Sequence, residues 1–190
     1  MLQRAILWLR HGHDVEARKE LIRLQGRALV HPNVELAAWL HLAEGLAAYF
    51  STFGSGARDR VRRARVMAQA GGLGALQNLA EAWLAQMDLV GRDLEGFMRH
   101  TTSALQLLGR DDHVAGYRIT TAVASAWSLA GREKVALTWW ARARSHAVAN
   151  EDNADIEALI YQTQMRALQI RHAAFAGDVR ADPAELLGVD

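Results

Sequence analysis

The chain has 190 residues, 51% of them hydrophobic and 23% charged, a balance that lets it bury a full core as one domain or one short repeat array. Lys plus Arg number 22 against 21 for Asp plus Glu, a formal net charge of +1, which argues against a dedicated nucleic-acid binder relying on an excess of cations. Cysteine is absent, so disulfides, thiolate metal sites and cysteine nucleophiles are excluded.

The opening MLQRAILWLRHGHD does not read as a signal peptide, since its apolar run spans only Ala5 to Leu9, between Arg4 and Arg10. No stretch approaches the ~18 uninterrupted apolar residues of a membrane span. A soluble, cytoplasmic chain without membrane contact is expected.

Apolar residues then recur at intervals of three and four, with glycines where the pattern breaks and only two prolines, Pro32 and Pro183. No segment alternates with period two. The prediction is an all-α chain with helices over 2–11, 14–29, 33–53, 57–70, 73–90, 93–108, 112–130, 133–148 and 153–176.

The first two turn at Gly12. The third carries Leu36, Trp39, Leu42, Ala43, Leu46, Tyr49 and Phe50 at helical spacing. The loop before the fourth, FGSGARD, lacks the Gly-Lys-Ser/Thr end and the preceding strand of a phosphate loop, and reads as a turn. In the fourth, Ala57, Val61, Ala64 and Ala68 form one stripe, and Arg58, Arg60, Arg62, Arg63 and Arg65 flank it as a solvated outer face. Replacing Arg58, Arg62 and Arg65 by Gln should therefore leave stability nearly unchanged.

The fifth carries Leu79, Ala80 and Trp83, and Gly91 turns it into the sixth. Asp111 and Asp112 are candidate caps for the seventh, and Asp152 with Asp155 for the ninth. Loops of two to six residues make sequential helices antiparallel, which gives four hairpins and a long final helix. Residues 1–176 read as one domain and 177–190 as a tail or linker.

One apolar skeleton is written twice. Over AILWLRHGHDVEARKEL and ASAWSLAGREKVALTWW, Ala5 meets Ala124, Trp8 meets Trp127, Gly12 meets Gly131, Ala17 meets Ala136 and Leu21 meets Trp140. A small residue opposite a large one lets two helices approach closely, and stacking such hairpins buries their faces. All six tryptophans are expected to serve in packing.

Trp39, Leu42, Ala43 and Leu46 on a first helix, and Gly131, Ala136, Trp140 and Ala143 across a turn and second helix, make the chain resemble the tetratricopeptide family over roughly residues 1–148. The repeat spacing, near 40, departs from that family's 34, and the closing proline occurs only as Pro32. The resemblance implies a helix-hairpin solenoid, of the kind attached to bacterial signalling enzymes and transcription regulators. It also implies a concave face, lined by the first helix of each hairpin, that takes a protein or peptide. The positions beside the close-packed Ala43, Ala80 and Ala124 then turn to that groove: Leu40, Glu44, Gln77, Glu81, Arg118, Thr121, Ser125 and Ser128.

The remaining constellations point away from chemistry. His41 with Glu44, and His11 with His13, do not reach the three ligands of a catalytic metal site, and Glu-x-x-His does not occur. No Gly-x-Ser-x-Gly elbow is present. The expectation is a non-catalytic scaffold or adaptor without cofactor or metal, and with nucleic acid an unlikely partner. The alternative is a ligand- or partner-sensing regulatory module of a larger bacterial signalling protein, such as a diguanylate cyclase or transcription regulator. Helix 153–176, with Ile156, Leu159, Ile160, Ala167, Ile170 and Ala174 on one side, reads as a cap on the array. Its alternative role is to join two copies as a homodimer or to act as a stalk.

Overall fold

A computed structural model describes Ala5, Trp8, Leu9 and residues 13–31, 33–52, 56–149 and 153–175. Among these the chain is all-helical, in eight helices: α1 (Asp14–Val30), α2 (Val34–Thr52), α3 (Gly56–Ala70), α4 (Gly74–Val90), α5 (Leu94–Leu107), α6 (His113–Leu129), α7 (Glu133–Ala149) and α8 (Asn153–Phe175). Each matches a predicted span to within three residues. The predicted helix 2–11 is described only at Ala5, Trp8 and Leu9, which are helical. Gly12, Gly54, the Asp152 cap and the tail lie outside the described residues. No described helix is long and apolar enough to cross a membrane.

The chain divides into two compact units, Met1–Gly109 and Arg110–Asp190, a boundary inside the span that the sequence reading drew as one domain. In the first unit α1 packs on α2, α2 on α3, α3 on α4, α4 on α5, and α2 also touches α4. Ala5, Leu21, Leu24, Leu40 and Ala43 form one core cluster. Gly45 lets α2 and α3 close up: a Cβ there would lie 2.7 Å from Val61 Cγ2 and 3.0 Å from the Ala57 carbonyl oxygen. Tyr49, Phe50 and Trp83 meet edge to face, with centroids 5.4–6.1 Å apart, and tie α2 to α4. The stripe predicted on α3 is its complete buried set: Ala57, Val61, Ala64 and Ala68.

In the second unit α6, α7 and α8 all touch one another. Their core joins Tyr117 and Ala124 of α6, Ala136, Trp140, Ala143 and Ala147 of α7, and Ile156 and Ile160 of α8. Matched positions of the two stretches are buried in both units. Ala5, Ala17 and Leu21 are buried in one unit, and their counterparts Ala124, Ala136 and Trp140 in the other. The tryptophans differ from expectation: Trp127 is 40% exposed, since the indole of Trp140, one helix over, fills the interior.

Three helix ends are built alike. After α3, α4 and α6 come three-residue turns, Gly71-Gly72-Leu73, Gly91-Arg92-Asp93 and Ala130-Gly131-Arg132, whose middle residue has positive φ (67°, 59° and 72°). The third residue donates its N–H five residues back, from Leu73 to Ala68, Asp93 to Asp88 and Arg132 to Trp127, at 2.8–2.9 Å. These bonds satisfy carbonyls that the helix leaves open, and the left-handed residue makes the reversal possible. Sequence reasoning placed the second reversal at Gly91, but the positive φ falls on Arg92. Side-chain caps start α2 and α6. Asn33 Oδ1 accepts from the N–H groups of Glu35 and Leu36, and Asp112, as predicted, accepts from Ala115.

Candidate functional site

Charged side chains of α3, α4 and α5 converge inside the first unit. Glu81 and Asp88 stand two turns apart on α4, both buried, and His100 of α5 is buried beside them. His100 Nδ1 lies 2.5 Å from Glu81 Oε2. A carboxylate only accepts, so Nδ1 carries the proton of this bond. Arg65 of α3 donates to the other oxygen, Oε1, at 3.3 Å.

Two turns along, Arg58 Nη2 approaches Asp88 Oδ1 at 2.5 Å and Asp93 Oδ2 at 2.6 Å. The Asp88 contact is short, but neither Asp88 oxygen makes a well-angled hydrogen bond, so Arg58 acts on Asp88 chiefly as a charge. Burial accordingly pushes the Asp88 carboxyl above its ordinary range, against the opposing pull of Arg58 and His100. Asp93 is held below its ordinary value, first by the Gly96 N–H it accepts at 2.8 Å and then by Arg58. A Cβ on Gly96 would sit 2.5 Å from both Asp88 Oδ2 and Asp93 Oδ2, so α5 passes this close only because residue 96 is glycine.

The arginine helix is therefore not uniformly solvated. Arg62 pairs with Asp59 at the surface, whereas Arg58 and Arg65 reach buried carboxylates. The expectation that Arg58 and Arg65 are dispensable is corrected here: their removal strands Asp88 and Glu81 in a low-dielectric interior.

In the second unit, helices α6, α7 and α8 enclose a notch of about 240 Å³, lined by Ser128, Ala136, Leu137, Trp140, Gln164 and Leu168 among others. Trp140 Nε1 donates to Ser128 Oγ at 3.2 Å. Elsewhere in this unit, His113 and His146 face each other, Nδ1 to Nδ1 at 3.3 Å, with the His146 ring lying against Gly116 where a Cβ would clash. Burial, reinforced by His113, lowers the affinity of His146 for a proton, with Asp112 opposing.

The eight positions read as a groove divide by burial. Leu40 belongs to the core of the first unit, and Glu81 is the centre of the charge cluster. Thr121 is buried and donates to the Arg118 carbonyl oxygen, and Ser128 is buried under Trp140. These four pack rather than face a partner. The reason is the same on both helices: α4 and α6 are buried nearly all round, along runs such as 78–85 and 119–124, where the sequence reading assumed one apolar stripe. Glu44, Gln77, Arg118 and Ser125 are half-buried. Glu44 accepts from Gln25 at 2.7 Å and lies 4.0 Å from His41, and no group of three metal-ligating side chains occurs among the described residues.

Asp88, Asp93, His100 and the inward roles of Arg58 and Arg65 were missed because the pairs are separated by 16 to 35 positions, beyond the reach of helical periodicity. The chain matches no protein-family model, no curated protein and no solved structure.

Proposed function

We propose that the chain is a non-catalytic helical-repeat module, tetratricopeptide-like in plan, that binds a protein or peptide through exposed helix faces. The observation that carries this reading is apolar surface left outside. On α1, Val15, Ile22 and Leu29 are 61%, 67% and 84% exposed. At seven-residue intervals they share one side of the helix, and apolar faces of this kind mark interaction sites. Arg18 and Lys19, both exposed, stand beside Val15 and Ile22. The partner that fits is a helix or strand with an apolar face and acidic flanks. The buried acids and bases of the first unit support a non-catalytic role, since they are paired with one another across α3, α4 and α5.

The test is affinity capture with the wild type and with Ile22→Glu plus Leu29→Glu, read by mass spectrometry, with helicity checked by circular dichroism. Both side chains are exposed, so the variant should stay folded and lose the specifically captured partners. Equal recovery of the same proteins by both would refute the α1 surface.

A further inference from the structure

Helix α8 buries one side and leaves another apolar side open. Ile156, Ile160, Thr163 and Ala167 face inward, whereas Tyr161, Met165 and Leu168 are 65%, 40% and 52% exposed. Ala158 is exposed one turn before Tyr161. The set Ala158, Tyr161, Met165 and Leu168 follows the three-four spacing of a coiled-coil seam. We infer that two copies of the chain associate through α8, antiparallel, with Tyr161 of each copy entering the notch beside Leu168 of the other.

Three features single out a second copy as the occupant. The projecting ring and the recess lie on the same element: Tyr161 precedes Gln164 and Leu168 of the notch wall by one to two turns, about 5–10 Å. A two-fold axis crossing α8 between them brings each ring over the other copy's recess, the self-complementarity that an isologous contact requires.

The antiparallel register is also sterically consistent. Placing Tyr161 against the second copy's Met165 sets Ala158 against Leu168, small against large, in the neighbouring layer. Finally, the flanks of the seam carry Gln162, Gln164 and Gln169, and in this register Gln162 faces the second copy's Gln164 while Gln169 faces its Glu157, so no like charges meet there. Glu157, the acid at the seam's edge, is already held by Arg144 of α7 at 2.6 and 3.1 Å.

The recess suits the ring. At about 240 Å³ it is below the ~300–1,000 Å³ of small-molecule sites, and Ser128 and Gln164 on its wall offer polar partners to a phenol hydroxyl. A single-helix seam buries less than the ~800 Å² per partner of a standard interface, so the expected Kd is on the order of 10 μM or weaker.

Sedimentation velocity on the full chain, from about 1 to about 200 μM to bracket that range, should show a monomer passing into a dimer. Tyr161→Ala and Leu168→Glu should each raise the Kd by at least about tenfold, as loss of an interface anchor does. Val148→Glu, which alters an exposed apolar residue of α7 outside the notch, should not. Circular dichroism establishes that each variant keeps its helix content. A wild type that stays monomeric throughout overturns the inference. So does a dimer that survives both α8 variants, or one that Val148→Glu dissociates as fully as they do. None of these outcomes bears on the α1 surface, which lies in the other unit.

Discussion

Glu81 sits between a guanidinium and an imidazole, with its side chain nearly closed off from water. Taking away one partner of such a buried group leaves the others uncompensated, at a cost of about 3–5 kcal/mol. Glu81→Ala should lower the urea midpoint accordingly. Arg62→Gln, which loses the exposed contact to Asp59 at 3.4 Å and the smallest of the charge effects on Asp88, should change stability by less than about 1 kcal/mol. If the two variants denature together, the cluster does not carry the weight assigned to it.

His146 tests a different property. Its proton affinity is lower in the folded chain than the ordinary value of 6.5. Between those two values the unfolded chain binds more protons than the folded one, so stability rises with pH there and falls on acidification. From pH 7 downward the wild type should lose stability, with a slope from this group of at most about 1.4 kcal/mol per pH unit. The loss from this group ends below the folded value. His146→Gln should remove that component, and denaturation midpoints measured across pH 5 to 8 decide it.

At the scale of elements, the turns and the glycines set the tolerances. Arg92 holds a left-handed conformation that costs an L-residue about 1–2 kcal/mol, while Gly72 and Gly131 hold the same conformation freely. Arg92→Gly should relieve that strain. The change in stability read from the thermal midpoint should be this relief, up to about 1–2 kcal/mol, less the added freedom of the unfolded chain and the interaction the side chain gives up. Gly96→Ala should do the reverse. Its Cβ meets two carboxylates held by Arg58, and relieving that contact should cost about 1–3 kcal/mol. The helices themselves were legible from the sequence because apolar residues recur at period 3.6, as Ala57, Val61, Ala64 and Ala68 do on α3. The contents of α4 were not legible. A helix enclosed on several sides can bury Glu81 and Asp88 without leaving a periodic trace, and their partners sit on other helices.

For the whole molecule, the division at Gly109 has a consequence for experiment. Residues 110–190 hold their own core around Trp140, so this segment expressed alone should be helical and should unfold cooperatively. A non-cooperative melt would show that it depends on residues 1–109. The candidate sites divide along the same line. The charge cluster belongs to one unit and the notch to the other.

Asp93 does two jobs at one address: it caps α5 and grips Arg58 of α3, while its neighbour Gly96 lies against Asp88 of α4. Fraying the start of α5 thus withdraws a counter-charge from α3 and uncovers a carboxylate on α4. Such a junction couples the opening of α5 to that of α3 and α4. In native-state hydrogen exchange, the amides of α3, the C-terminal half of α4 and the first turns of α5 should share one opening free energy and one denaturant dependence. With Asp93→Ala the first turns of α5 should detach from that group and exchange early, while the amides of α8 remain unchanged.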